Sequence, residues 1–170
     1  MYTNIVMVGM PGSGKSTVGR LLAKRLRMSF LDTDLTIEQR EGRRLQEIID
    51  AEGNDRFLEI EQEVLLGVDV TNTVISPGGS AVYSDAAMAY LKKSSLVIYL
   101  DIPFDELLPR LHNLSTRGIV MKNGYSIQEL YDERNPLFRK YADLIIPCGG
   151  GQTKEECLKK VLLALKTQKK

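Results

Sequence analysis

Residues 9–17, G-M-P-G-S-G-K-S-T, constrain this chain more than any other stretch. They fill the pattern G-x-x-x-x-G-K-[ST], with Gly9, Gly14, Lys15 and Ser16 at its fixed positions. The preceding run, Ile-Val-Met-Val at 5–8, suits a buried strand. After the loop, Val18, Leu21, Leu22 and Leu26 recur at helical spacing over 18–27. Strand, glycine loop and helix together make a concavity of backbone N–H groups at a helix N-terminus, which favours phosphate. The stretch therefore reads as a nucleoside-triphosphate site. Gly12, Ser13, Gly14 and Thr17 would cradle phosphates. Lys15 would reach the β- and γ-phosphates, and the Ser16 hydroxyl would ligate Mg²⁺.

The other bounds are ordinary. At 170 residues, 43% hydrophobic and 26% charged, the chain is expected to be a single globular domain with a real core. A net charge of +1 offers no bulk attraction to nucleic acid or to a membrane surface. No apolar run approaches spanning length, and no leader pattern opens the sequence. Two cysteines, Cys148 and Cys157, with a single histidine, His112, do not make a metal site and point to reduced thiols in a cytoplasmic protein.

Beyond the first helix, strands are expected at 28–31, 74–76, 96–100 and 144–146. Helices are expected at 35–49, 54–66, 84–91, 103–111 and 126–141, the last interrupted or kinked at Pro136. Thr153 is placed to cap a final amphipathic helix through 165. Alternation of strand and helix predicts an α/β fold, a parallel sheet flanked by helices on both faces. The stretch 113–124 loses periodicity and is long for a connection, which suits a lid.

Asp32 and Asp34 follow the second strand, at the sheet edge where ligands gather in such folds. One carboxylate can hold a Mg²⁺ water and the other can accept a hydrogen bond from a substrate hydroxyl. Capping of the next helix is the alternative role for aspartate there. Pro77-Gly78-Gly79-Ser80 reads as a tight turn that either exposes N–H groups beside the site or is purely structural.

The order and spacing of the glycine loop, Leu31-Asp32-Thr33-Asp34, the stretch 53–61, Ser76 to Gly79, Arg117 and Glu133-Arg134-Asn135-Pro136-Leu137-Phe138 resemble those of the shikimate kinases, over nearly the whole chain. The resemblance implies a P-loop NTPase of the nucleoside-monophosphate-kinase type. It adds an acceptor-binding insertion at 33–61 and a lid at 113–124. It implies a monomer that uses ATP and Mg²⁺ to phosphorylate a small hydroxy acid, foremost shikimate to 3-phosphoshikimate. Carried over by position, Asp34 would orient the attacking hydroxyl, and Asp32 would hold Mg²⁺ together with Ser16. Gly78 and Gly79 would offer N–H groups, and Arg134 would bind the acceptor carboxylate. Arg117 would meet the transferring phosphate, and Arg110 and Thr153 would flank adenine.

Three positions depart from the family pattern. Leu58 stands where an arginine would grip the acceptor carboxylate, and Arg56, about 200° away around the helix, points elsewhere. Ser80 replaces a third glycine. Gly118-Ile119-Val120 follows Arg117 where proline and leucine are usual. Two other readings remain open: a related kinase acting on homoserine or a gluconate-like sugar acid, and a nucleotide-binding regulatory protein without turnover.

Overall fold

The computed structural model describes residues 1–111 and 118–168. Five parallel strands run β1 (Asn4–Val8), β2 (Ser29–Asp32), β3 (Thr73–Ser76), β4 (Ser95–Asp101) and β5 (Leu144–Pro147). Their order across the sheet is β2-β3-β1-β4-β5. The helices are α1 (Lys15–Leu26), α2 (Thr33–Glu41), α3 (Leu45–Leu66), α4 (Asp85–Lys92), α5 (Phe104–Leu107), α6 (Ile127–Tyr141) and α7 (Lys154–Gln168).

The central strands β1 and β3 are buried along their whole length, as a parallel sheet covered on both faces requires. The chain leaves β1 through α1 to the edge strand β2 on one side and later crosses from β3 past β1 to β4 on the other, so the crevice opens at the C-terminal end of β1. The glycine loop sits there. The main core packs both faces of the sheet. A second, smaller cluster of Ile37, Leu45, Ile48, Phe57, Ile60, Val64 and Val120 ties α2 and α3 to the segment around Val120.

The expected α/β architecture is present, with four differences in its helices. The helix expected at 35–49 is two pieces, because Gly42 adopts φ 66° and ends α2 with its N–H on Glu38 O. The break expected near Gly53 is real but local: at φ 84° and ψ 169° the backbone kinks, and α3 resumes at once. The helix expected at 103–111 shortens to α5 and a 3₁₀ turn at Leu108–Arg110. Pro109 lacks the N–H that a continuing α-helix would use. By contrast α6 runs through Pro136 without interruption, anchored by buried Leu130, Arg134, Phe138 and Tyr141. Cys148 and Cys157 are free and buried. Burial, with Cys157 beside it, pushes the Cys148 thiol up to about 12. No helix among the described residues is long and apolar enough to cross a membrane.

Candidate active site

The glycine loop turns on left-handed residues, Gly12 at φ 77° and Gly14 at φ 85°. Gly14 is the N-cap of α1. That conformation is open to glycine and strained for most side chains, so the helix starts with its first N–H groups facing the crevice. No carboxylate occupies the first turn of α1. The Ser13 hydroxyl is buried without a hydrogen-bond partner among the described residues. Both features leave the loop ready for an anion.

Two cations reach the loop from distant sequence. Arg110 Nη1 donates to Gly12 O at 3.2 Å. Lys154 Nζ lies 3.5 Å from Ser13 O and takes the space a Cβ on Gly14 would need. Thr153, beside it, is spent on capping α7: its Oγ1 accepts from Glu156 N at 3.2 Å while its own N–H donates to Glu156 at 2.7 Å.

Ser76, at the end of β3, neighbours both residues expected to hold a metal, Ser16 and Asp32. Ser16 Oγ lies 3.1 Å from Ser76 Oγ. Asp32 pairs with Ser76 in register. Asp32 Oδ1 accepts from Asp34 N at 3.0 Å, so the carboxylate caps α2 and turns the chain into the crevice. A hydroxyl and a carboxylate, open to phosphate and water oxygens, suit Mg²⁺. Among the described residues no cluster of histidine, cysteine and carboxylates forms a self-sufficient metal cage.

Directly beside the loop is a cavity of about 150 Å³ lined by Pro11, Lys15, Asp34, Phe57, Gly78 to Ser80, Gly118 to Val120 and Arg134. The residues expected from sequence at 15, 34, 78, 79 and 134 thus converge from four separate segments. Burial lowers the Lys15 ammonium below its usual range, against the pull of Asp34. Burial raises Asp34 to about 6, offset by Lys15 and reinforced by Asp32 and Glu38. Each group is held close to the other's charge, and a bound phosphate or hydroxyl would change both.

Arg134 is almost fully buried. Its Nη2 donates to Val120 O at 2.6 Å and its Nε to the Tyr83 hydroxyl at 3.2 Å. Its Nη1 lies 2.9 Å from the place of a Cβ on Gly79. A side chain at 79 would also meet Pro11 at 3.1 Å and Gly9 O at 3.2 Å, so glycine there keeps the guanidinium against the loop.

Leu58 does not line this cavity; Phe57 does. Leu58 faces a neighbouring cavity of about 250 Å³ with Tyr83, Tyr125 and Glu133. Arg56 does point away, pairing with Glu59 at 3.0 Å on an exposed face. The side chain added at Ser80 does not crowd the site. Its Oγ donates 2.7 Å to Glu61 Oε1.

Arg117 and His112 lie outside the described residues. The described part of the expected lid, 118–124, rests on α3: Gly118 N donates to Gln46 Oε1 at 3.1 Å and Asn54 Nδ2 to Met121 O at 2.9 Å. Sequence reasoning gave no individual role to Glu61, Ser76, Tyr83 or Lys154. Glu61 and Ser76 fell within quoted runs, whereas Lys154 reaches the loop across 141 positions and carried no local signal.

Comparisons with known proteins agree with this geometry. A family model described as shikimate kinase matches residues 11–166. The chain is 38% identical over 146 residues to a shikimate kinase of Pseudomonas paraeruginosa, covering 84% of this chain and 85% of that one. It is 37% identical over 165 residues to threonine synthase-like 1 of Homo sapiens, covering 96% of this chain but only 22% of that protein. Among solved structures, the shikimate kinase of Acinetobacter baumannii in complex with shikimate superposes with a TM-score of 0.87 at 30% identity, covering 100% of this chain and 97% of that one. Loop, cavity and relatives agree, and the chain belongs to the shikimate kinase family of ATP-dependent small-molecule kinases.

Proposed function

We propose that the chain transfers the γ-phosphoryl group of ATP to a hydroxyl of a small hydroxy acid, with shikimate, the ligand named for the Acinetobacter baumannii neighbour, as the reference acceptor. The observation that carries this reading is the single cavity shared by Lys15, Asp34, Gly78, Gly79 and Arg134 beside the glycine loop.

The roles follow from charge and reach. Lys15, at the start of α1, lies beside the phosphates held by the N–H groups of residues 12–17, and its charge follows the phosphoryl group into the transition state. Phosphoryl transfer needs little covalent chemistry from the protein and depends on alignment and positive charge. Asp34, as carboxylate, accepts the hydrogen bond of the attacking hydroxyl and orients it in line. Arg134 offers a planar fork for the acceptor carboxylate. Backbone N–H groups of Gly78 and Gly79 border the same space. Ser16 and Asp32 would hold Mg²⁺, which supplies charge neutralisation at the phosphate oxygens. Arg110 and Thr153 border the nucleotide end, and Arg117 belongs at the transferring phosphate. The segment 33–61 forms the acceptor side, and 113–124 the cover. We take the working unit to be a monomer in the cytoplasm, in keeping with its two free cysteines.

A coupled ADP-release assay with a panel of hydroxy acids tests this reading. Lys15→Ala is expected to lower kcat by roughly 10²–10³. Near-parental kcat in that variant would remove the phosphate-loop assignment.

A further inference from the structure

Arg134 is 1% exposed, yet the partners that hold it are neutral: Val120 O on Nη2 at 2.6 Å and the Tyr83 hydroxyl on Nε at 3.2 Å. Nε and Nη2 share one edge of the planar guanidinium, so these two acceptors fix its orientation from that edge. The other end, Nη1, is turned to Gly79 and to the cavity that Arg134 lines with Lys15 and Asp34. The Tyr83 ring lies against the same group, its centroid 5.2 Å from Arg134 Cζ.

Tyr83 follows the glycine turn, in the 3₁₀ segment Ala81–Tyr83. Its hydroxyl serves Arg134 as an acceptor while its own proton goes elsewhere, to Glu133 Oε1 at 2.7 Å. Burial, with the Glu133 bond, raises the tyrosine above its ordinary range against the Arg134 charge, so the phenol keeps that proton. Glu133 is anchored in turn: its Oε2 accepts from the Tyr125 hydroxyl at 2.9 Å and lies 3.6 Å from Lys122 Nζ. Glu133 thus reaches Arg134 through a phenol, although the two are adjacent on α6. A direct ion pair would satisfy the guanidinium with a resident carboxylate. The interposed hydroxyl orients the cation and leaves its charge unpaired on the cavity side, where burial makes an anionic partner valuable.

Resting on the phosphotransfer reading above, we propose that Tyr83 is a positioning residue for the acceptor: its hydroxyl, oriented by Glu133, aims the Nη1 end of Arg134 at the acceptor carboxylate, and so sets how strongly the chain prefers a carboxylate-bearing acceptor over an uncharged one. Leu58 lines two adjoining cavities with Tyr83 and contributes no charge. No arginine at that position shares the carboxylate with Arg134, so recognition depends on the aim of one guanidinium.

The test reads discrimination rather than stability. Calorimetric titration of the full chain with MgADP compares shikimate with methyl shikimate, the ester that lacks the negative charge. The parent chain is expected to favour shikimate about 10- to 100-fold, as a charge-assisted hydrogen bond implies. Tyr83→Phe keeps the ring and removes the hydroxyl. It is expected to cut that preference by about 3- to 10-fold while affinity for methyl shikimate stays parental. General loosening of the fold would weaken both acceptors alike and leave the ratio unchanged. Glu133→Ala, which frees the phenol, is expected to lower the ratio in the same direction, and it carries the comparison if Tyr83→Phe does not fold. A parent chain that binds neither acceptor, one that does not distinguish acid from ester, or a ratio unchanged in the folded variants overturns the proposal. The ADP-release assay reports on the kinase reading separately. A ratio that falls in Tyr83→Phe, with no ADP release from any acceptor, would sink the kinase reading and leave the positioning role standing. Shikimate turnover with an unchanged ratio would do the reverse.

Discussion

The Ser80 hydroxyl hydrogen-bonds the buried carboxyl of Glu61 at 2.7 Å, so the residue that breaks the glycine run is the partner of the carboxylate that lacks an arginine three positions before it. The two departures, Leu58 and Ser80, are therefore one arrangement around Glu61. The backbone at Ser80, φ −85° and ψ −6°, is ordinary for any residue, so the serine costs no strain.

Removing that hydroxyl should be felt in stability. Ser80→Ala leaves both oxygens of Glu61 without partners, at a cost of about 1–3 kcal/mol. Urea denaturation with an unchanged slope and a lower midpoint is the expected result. An unchanged midpoint would mean that the bond contributes nothing.

Glu61 also predicts how stability follows pH. Burial, reinforced by Asp34 and opposed by Ser80, Arg134 and Lys15, raises it to about 8 from the ordinary 4.5 of a glutamate. Between those values the folded state keeps a proton that the unfolded chain has lost. The contribution is complete below pH 4.5 and declines as pH rises to about 8, by an amount on the order of a few kcal/mol. Denaturation midpoints at pH 5 and pH 8.5 should differ in that direction, and Glu61→Gln should flatten the difference. A parent chain that gains stability across this window contradicts the account.

Asp34 sets the acid limb of activity. Burial holds it at about 6, with Lys15 working against that rise. Only the carboxylate can accept from the acceptor hydroxyl, so kcat should fall as pH drops below about 6. Asp34→Asn should lose roughly 10²–10⁴ in kcat while nucleotide affinity stays close to parental. Equal losses in both quantities would move Asp34 from the acceptor side to the nucleotide side.

Lys154 is expected to act on the nucleotide alone. Its ammonium lies against the loop at Ser13, with burial and then Arg110 lowering its pKa. Lys154→Ala should raise the KM for ATP by about 2- to 10-fold with kcat preserved, because the contact is equally present before and during transfer. A fall in kcat at unchanged KM would instead make it a transition-state contact.

The glycine loop, the strand before it and the helix after it were legible in sequence because their physics is local. Glycines that permit left-handed turns, a lysine and a serine at fixed offsets, and a change of hydrophobic period all lie within about two dozen residues. The alternation of strands and helices was legible for the same reason, and so was the position of Asp34, the second residue of the helix that Asp32 caps. Local patterns failed where one residue overrode a period. Gly42 splits a helix that reads as continuous, and the buried face of α6 carries Pro136 through a helix that reads as interrupted or kinked. Tertiary structure alone decided the surroundings of the site. That Lys154 reaches Ser13, that Leu58 turns to a neighbouring cavity while Phe57 walls the main one, and that Ser80 meets Glu61 depend on how helices pack over the sheet. Those contacts join residues far apart in the chain. Their distances follow from packing, which a motif does not encode.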